Sequence, residues 1–400
     1  MNKKYAIIFI LLILSISLTG CFINPPVPDI PEWTVMIYLD ADNDLESAGI
    51  NDINEMEMVG SSSDVNIVVQ VDRIPNYNFS NNDWITTRRY YITHDSDPMQ
   101  INSQLIGNDL GELNMGDPKT LVNFATWAIT EYPAKKYLLV IWNHGGGFRS
   151  PTYTKGIAQD DTSGKDIITM PELEYALSAI SVQMGKNIDI VGMDACLMAM
   201  TEVAYQIKDY ADILVSSEEN EPGDGWPYDT ILAQLVANPL MSAEQLATDI
   251  VDEYIYSYPF KEVTQSAIDL SYMDDLAGQL SSMSDAIRSD TLTPKNAYLN
   301  AAYFSQHYSD YYHDFIDLYD FCKKVLIYSN NINVKNIALS IQQTLNSAVI
   351  RSGYNGSGLS GSKGLSIYFP LYNEYDSENY DYTNFAKDTF WDEILLSLGL

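Results

Sequence analysis

LVIWNHGGGFRS, residues 139–150, is an apolar run that reads as a buried strand and ends in His144 followed by three glycines. IVGMDACLMAM, residues 190–200, repeats the plan, with Asp194 and Cys196 at the end of a second apolar run. In open α/β sheets the reactive groups gather beyond the carboxyl ends of the strands. If these two strands are neighbours, an imidazole and a thiol meet at one edge, and together they supply the base and nucleophile of cysteine-based acyl transfer. CLMAMTEVAYQIKDY, 196–210, reads as a helix, so Cys196 is expected at a helix start, where free N–H groups favour a thiolate.

The glycines fit the same chemistry. A carbonyl attacked by sulfur develops an oxyanion, best stabilised by backbone N–H groups that no side chain screens. Gly145 and the amide of Cys196 are the expected donors. HGGG also occurs as the oxyanion loop of lipases and esterases, but that fold needs a GxSxG nucleophile elbow, and the chain contains none. Taken singly, His144 reads better as a loop histidine and Cys196 as a buried structural thiol; the pairing at two strand ends favours catalysis.

Outward from these strands, the pattern repeats. TVMIYLD from Thr34, VNIVVQVD at 65–72, KYLLVIWN ending at Asn143, NIDIVGMD at 187–194 and ADILVSSEE at 211–219 read as strands, with a further arm at 84–93. Helices are expected after Leu45 with Gly60 as stop, after Asp117-Pro118 as N-cap and first turn, and after Thr169, which forms a capping box with Glu172. Strands alternating with amphipathic helices predict an α/β fold with a mainly parallel sheet and helices on both faces. From about Ser242 the chain reads as mostly helical, with strands at 263–270 and 364–370 and a glycine- and serine-rich loop at 352–364.

The full chain has 400 residues, 54 acidic against 22 basic, for a formal charge of −32. That balance repels nucleic acid phosphates and anionic membrane surfaces. Residues 1–20 have the form of a signal peptide: Lys3 and Lys4, an apolar run, then small residues. The ending Leu18-Thr19-Gly20-Cys21 resembles the lipobox of bacterial lipoproteins, which implies cleavage before Cys21 and a lipid on its sulfur. Residues 21–31 follow as a proline-rich spacer, then a core at 32–235 and a mostly helical region at 236–400 that completes the fold. Cys196 and Cys322 are read as free thiols, Cys322 as a packed one.

Four stretches in this order, WTVMIYLDADNDLE (33–46), LVIWNHGGG (139–147), DACLMAMTEVAY (194–205) and SSEENEPGDGWPY (216–228), resemble the clostripain family of cysteine peptidases, relatives of caspases and gingipains. His144 precedes Cys196 by 52 residues, close to the caspase spacing of about 50. The resemblance implies a caspase-like sandwich, His144 as base, Cys196 as nucleophile, cleavage after Arg or Lys, and self-cleavage between the two catalytic residues. DACLM stands where caspases carry a QACRG-type signature, so cleavage after aspartate is not implied.

A basic P1 side chain needs a carboxylate in its pocket. Asp194 and Asp224 are the candidates, with Asp224 preferred as the direct contact and Asp194 as support for the pocket floor; a turn aspartate is the plain alternative for Asp224. Arg149, Lys155 and Lys165 are the processing candidates. Calcium dependence occurs in the family. DADNDLE offers Asp40, Asp42 and Asp44, yet Leu45 and Asn51 stand where an EF-hand needs glycine and glutamate, so these acids either cap the next helix or bind a cation in another geometry. No metal site is assigned. His307, Asp310 and His313 share part of a helix face but lack a metal-binding motif. No third catalytic residue is legible. The reading is a lipid-anchored, extracytoplasmic cysteine endopeptidase acting on proteins or peptides; the alternatives are an inactive binding module on the same fold and a hydrolase of another acyl bond.

Overall fold

Alternation along β1 (Trp33–Ala41) sends Val35, Ile37 and Leu39 into one apolar core and Met36 and Tyr38 into another. A strand buried on both faces belongs at the centre of a covered parallel sheet. The computed structural model describes residues 30–148, 156–309 and 314–400, and Pro31–Leu400 form one compact unit.

In chain order, β1 is followed by α1 (Glu46–Glu57), β2 (Val65–Arg73), β3 (Arg88–Tyr91), β4 (Gln104–Leu105), α2 (Pro118–Glu131) and β5 (Lys136–Trp142). Next come the hairpin β6 (Ile157–Asp160) and β7 (Asp166–Ile168), α3 (Met170–Met184), β8 (Ile188–Asp194), α4 (Thr201–Ile207) and β9 (Ala211–Ser216). Then follow α5 (Tyr228–Ala237), α6 (Ala243–Ser257), β10 (Val263–Asp269), α7 (Met273–Arg288), β11 (His307–Tyr308), β12 (Phe315–Asp317), β13 (Val349–Asn355) and β14 (Ser366–Tyr368).

Nine strands form the main sheet in the order β13-β10-β9-β8-β5-β1-β2-β3-β4. The five central strands, β9 to β2, are parallel, and the outer ones run antiparallel. Ile53 and Met56 of α1, with Ile231 of α5 and Ile250 of α6, cover one face; Phe124 of α2, Leu177 of α3, Val203 of α4 and Leu276 of α7 cover the other. From β1 the chain moves to β2 on one side, then returns to β5 and β8 on the other. That reversal opens a crevice at the carboxyl ends of β1, β5 and β8. Trp142 pairs with Asp194 in register, so His144 and Cys196 each lie two residues beyond a matched pair of strand ends.

The expected caps form: the Asp117 side chain accepts from Lys119 N at 2.9 Å, and Thr169 and Glu172 make a capping box. Two expectations change. Residues 352–364 are not all loop, because Ser352–Asn355 continue β13, and Gly353 lets it pack closely on Ile255 of α6. The helix expected from Cys196 begins only at Thr201. Leu197 takes a positive φ of 65°, and its amide, with that of Ala199, bonds the carbonyls of Glu219 and Ser217 beyond β9. These bonds hold 197–199 as a non-helical turn, so Cys196 has no helix N-terminus beneath it.

Candidate active site

His144 and Cys196 line the same two adjoining cavities, of about 260 and 390 Å3, at the carboxyl edge of the sheet. His144 is placed by Asn143, whose side chain accepts from the His144 amide and donates to the carbonyls of Asp40 and Gln159 and to the Asp40 carboxylate. Three segments are thereby locked under the imidazole. His144 Nε2 lies 2.7 Å from Asp44 Oδ1. An ionised carboxylate only accepts, so this contact places the ring proton on Nε2 and leaves the Nδ1 lone pair as base. Asp44 was read from the sequence only as a helix cap or cation ligand, and its place beside His144 was missed; the signal was the acidic turn directly after a strand lining the crevice.

Cys196 Sγ accepts from Glu221 N at 3.2 Å. Burial raises the thiol above its ordinary value, the Glu221 N–H offsets part of that, and the charges of Glu219 and Asp194 raise it further. Around the sulfur the site offers an imidazole in the same cavities and one amide, in place of the helix dipole expected from the sequence.

The glycines answer to sterics. A Cβ on Gly145 would stand 2.4 Å from the Cys196 carbonyl oxygen and 2.9 Å from Ala195 Cβ, and one on Gly147, at φ 62°, would stand 2.3 Å from Met200 Sδ. Gly146 N bonds Gly156 O at 3.2 Å, tying the loop to the hairpin. The close approach sets Gly145 against the Cys196 backbone, the arrangement an oxyanion site of two amides requires.

The smaller cavity is lined by Asp194, Glu221, Trp142 and Gly225 as well as the dyad. Asp194 Oδ2 accepts from Trp226 N at 3.1 Å and Tyr228 OH at 2.9 Å. Burial pushes its carboxyl up to about 6, against hydrogen bonds from Glu221, Trp226 and Tyr228 that favour the charged form. Asp224, preferred from sequence as the direct contact, is not among the lining residues; its side chain is 81% exposed and faces Lys261 at 3.6 Å. The turn of two glycines carries it outward, while the strand end fixes Asp194 inward.

Lys165 lines the larger cavity with His144 and Cys196. Arg149, Lys155 and Cys21 lie outside the described residues, as do Asp310 and His313. The His307 ring contacts the Tyr303 carbonyl, and Cys322 is fully buried.

The three aspartates of DADNDLE have three separate tasks and none caps α1, where Asn43 Oδ1 bonds Leu45 N instead. Asp40 holds Asn143 and Asp44 meets His144. Asp42 joins Asp72, Glu112 and Asp160, with one carboxylate oxygen from each lying within 4.8 Å of the others. Oxygens on opposite sides of a calcium ion stand about 4.6–5.2 Å apart, and the donor set is all hard oxygen. Asp72 Oδ2 is buried without a hydrogen-bond partner among the described residues. The residues fit a divalent cation.

The clostripain family model matches residues 37–397. The chain belongs to the clostripain family. It is 28% identical to clostripain of Hathewaya histolytica over 395 aligned positions, covering 84% of this chain and 74% of that one. Its fold matches a secreted C11 cysteine protease of Bacteroides thetaiotaomicron in complex with an irreversible peptide inhibitor, at TM-score 0.68 and 22% identity over 90% of this chain and 100% of the other. It also matches an inactive zymogen C11 protease of Parabacteroides distasonis, at TM-score 0.66 and 20% identity over 91% and 99%. This clostripain-family chain is a cysteine endopeptidase, and its mostly parallel sheet between helical layers is the fold of those proteases.

Proposed function

We propose that this clostripain-family enzyme cuts peptide bonds after Arg or Lys, with Cys196 as nucleophile and His144 as base. The observation that carries the specificity is the Asp194 carboxylate, 4% exposed, in the wall of a cavity that also holds the dyad. In the reaction His144 takes the thiol proton and Sγ adds to the carbonyl carbon. The oxyanion turns toward the amides of Cys196 and Gly145, and the amine leaves with the proton held by the imidazole. Water then hydrolyses the thioester. Asp194 is the direct P1 contact in this reading, and Asp224 bears on substrates only at the cavity's outer rim.

The leader at 1–20 and Cys21 support export and lipid anchoring to the cell membrane. Self-cleavage at Arg149, Lys155 or Lys165 is part of the same reading, supported by the place of Lys165 beside the dyad. A calcium ion held by Asp42, Asp72, Glu112 and Asp160 would neutralise a buried acid cluster and stiffen the turn that carries Asp44.

The test uses the soluble chain from Phe22 on fluorogenic peptides with Arg, Lys, Asp or Ala at P1, beside Cys196→Ala. Cleavage after Arg and Lys, absent in the variant, is the expected result; mass spectrometry of the incubated chain locates any cut between His144 and Cys196. No cleavage, even after deliberate nicking of the 149–165 loop, favours the binding module.

A further inference from the structure

Glu221 does two things at once. Its backbone N–H bonds Cys196 Sγ at 3.2 Å, and the residue lines the same small cavity as Asp194. Glu221 Oε1 accepts from Gln265 Nε2 at 3.2 Å, while Oε2 is buried without a hydrogen-bond partner among the described residues. Asp194 lines the same small cavity, and burial and the Asp194 charge hold the Glu221 carboxyl well above its ordinary range. Two buried carboxyls on one cavity cannot both ionise without a counter-charge, so the pair shares one proton.

The surroundings supply no such charge. Asp52 and Glu55 approach the pair from α1, Tyr228 from α5, Tyr254 and Tyr258 from α6 and its end, and Cys196 from its own loop. No lysine or arginine lines this cavity among the described residues, and Lys261 is engaged by the exposed Asp224. Trp142 and Leu45 wall the remainder, room for an aliphatic stem.

We infer that Asp194 and Glu221 form a paired-carboxyl floor in which the free enzyme keeps one proton and the guanidinium or ammonium of the substrate replaces it. The inference rests on the basic-P1 reading and adds a second acid to it. Binding a cationic side chain releases the shared proton to solvent and leaves two carboxylates on one cation. A neutral P1 group leaves the proton in place and gains nothing from Glu221. Because the same residue's amide holds Sγ, filling the floor also fixes the loop that positions the nucleophile.

Titration calorimetry of Cys196→Ala with an Arg peptide, in buffers of different ionisation enthalpy near pH 7, is expected to show release of about one proton per peptide bound. Glu221→Gln preserves shape and the bond to Gln265; in the same background it should abolish the release. In the active enzyme it should cut the Arg-over-Ala preference in kcat/KM about tenfold or more. If wild type prefers basic peptides but Glu221→Gln changes neither preference nor proton release, Glu221 is structural and the inference falls. If wild type shows no basic preference, the P1 reading falls with it. Should the variant fail to fold, proton release by Cys196→Ala alone decides.

Discussion

His144 Nε2 stands 2.7 Å from Asp44 Oδ1, joining the end of β5 to the turn after β1. The carboxylate is 67% exposed, so its value lies in orientation more than in buried electrostatics. Asp44→Ala should lower kcat about tenfold with KM unchanged, because the ring loses its tautomer and heading while the pocket is untouched. His144→Ala removes the base itself and should cost about 10²–10⁴ in kcat. Equal effects of the two variants would contradict a merely orienting Asp44.

Gly145→Ala places a methyl 2.4 Å from the Cys196 carbonyl oxygen. The two loops must separate, which displaces the paired amides. A loss of about 10²–10³ in kcat is expected from the lost oxyanion donor, with overpacking costing about 1–3 kcal/mol of stability. Single-turnover rates and thermal melts separate the two effects. A variant that melts lower yet turns over normally would remove Gly145 from the oxyanion site.

The catalytic edge was legible because a parallel strand buried on both faces writes a continuous apolar run, and the residues that end it mark the sheet's reactive edge. Thus KYLLVIW and IDIVGMD announced β5 and β8, and their in-register ends put His144 beside Cys196. What stayed hidden depends on contacts distant in sequence. Cys196 lies outside a helix because Leu197 and Ala199 bond a loop about 20 residues on, and no local propensity records that. Asp224 reads as the pocket acid because it stands in a GDG turn after the catalytic strands, yet the structure leaves it 81% exposed and outside the lining of the cavity that holds Asp194. The strand β13 hid behind Gly353 and Gly356, since an edge strand with half-exposed residues lacks the apolar run of a central one.

Asp194→Ala should raise KM for Arg and Lys peptides about a hundredfold while sparing neutral ones, since only a cationic side chain loses its carboxylate partner. In wild type the carboxyl, pushed up to about 6 by burial, takes up its proton as pH falls through that value. Affinity for basic P1 groups should therefore fall more steeply below about pH 6, with kcat/KM for neutral P1 peptides as the control. A parallel fall for both substrates would place the titration in the dyad instead.

The acid cluster below the β1 turn ties pH, cation and stability together. Burial and the neighbouring charges push Asp42 to about 7 and Asp72 to about 9, and burial holds Asp40 well above the ordinary range. The ordinary aspartate value is 3.8, so between about pH 4 and 9 the folded chain keeps protons that the unfolded chain has released. Stability from these groups is complete below pH 4 and is lost as pH rises through 7 and then 9. A bound divalent cation replaces those protons, so it should stabilise most at alkaline pH and least near pH 5. At 100-fold excess over Kd the gain is about 2.7 kcal/mol, roughly 3 °C in Tm for a unit of this size. Asp72→Asn relieves a buried charge and removes a ligand; it should raise the cation-free Tm at pH 8.5 and erase the calcium shift. A calcium shift that survives in Asp72→Asn, or one that is as large at pH 5 as at pH 8.5, would place the ion elsewhere.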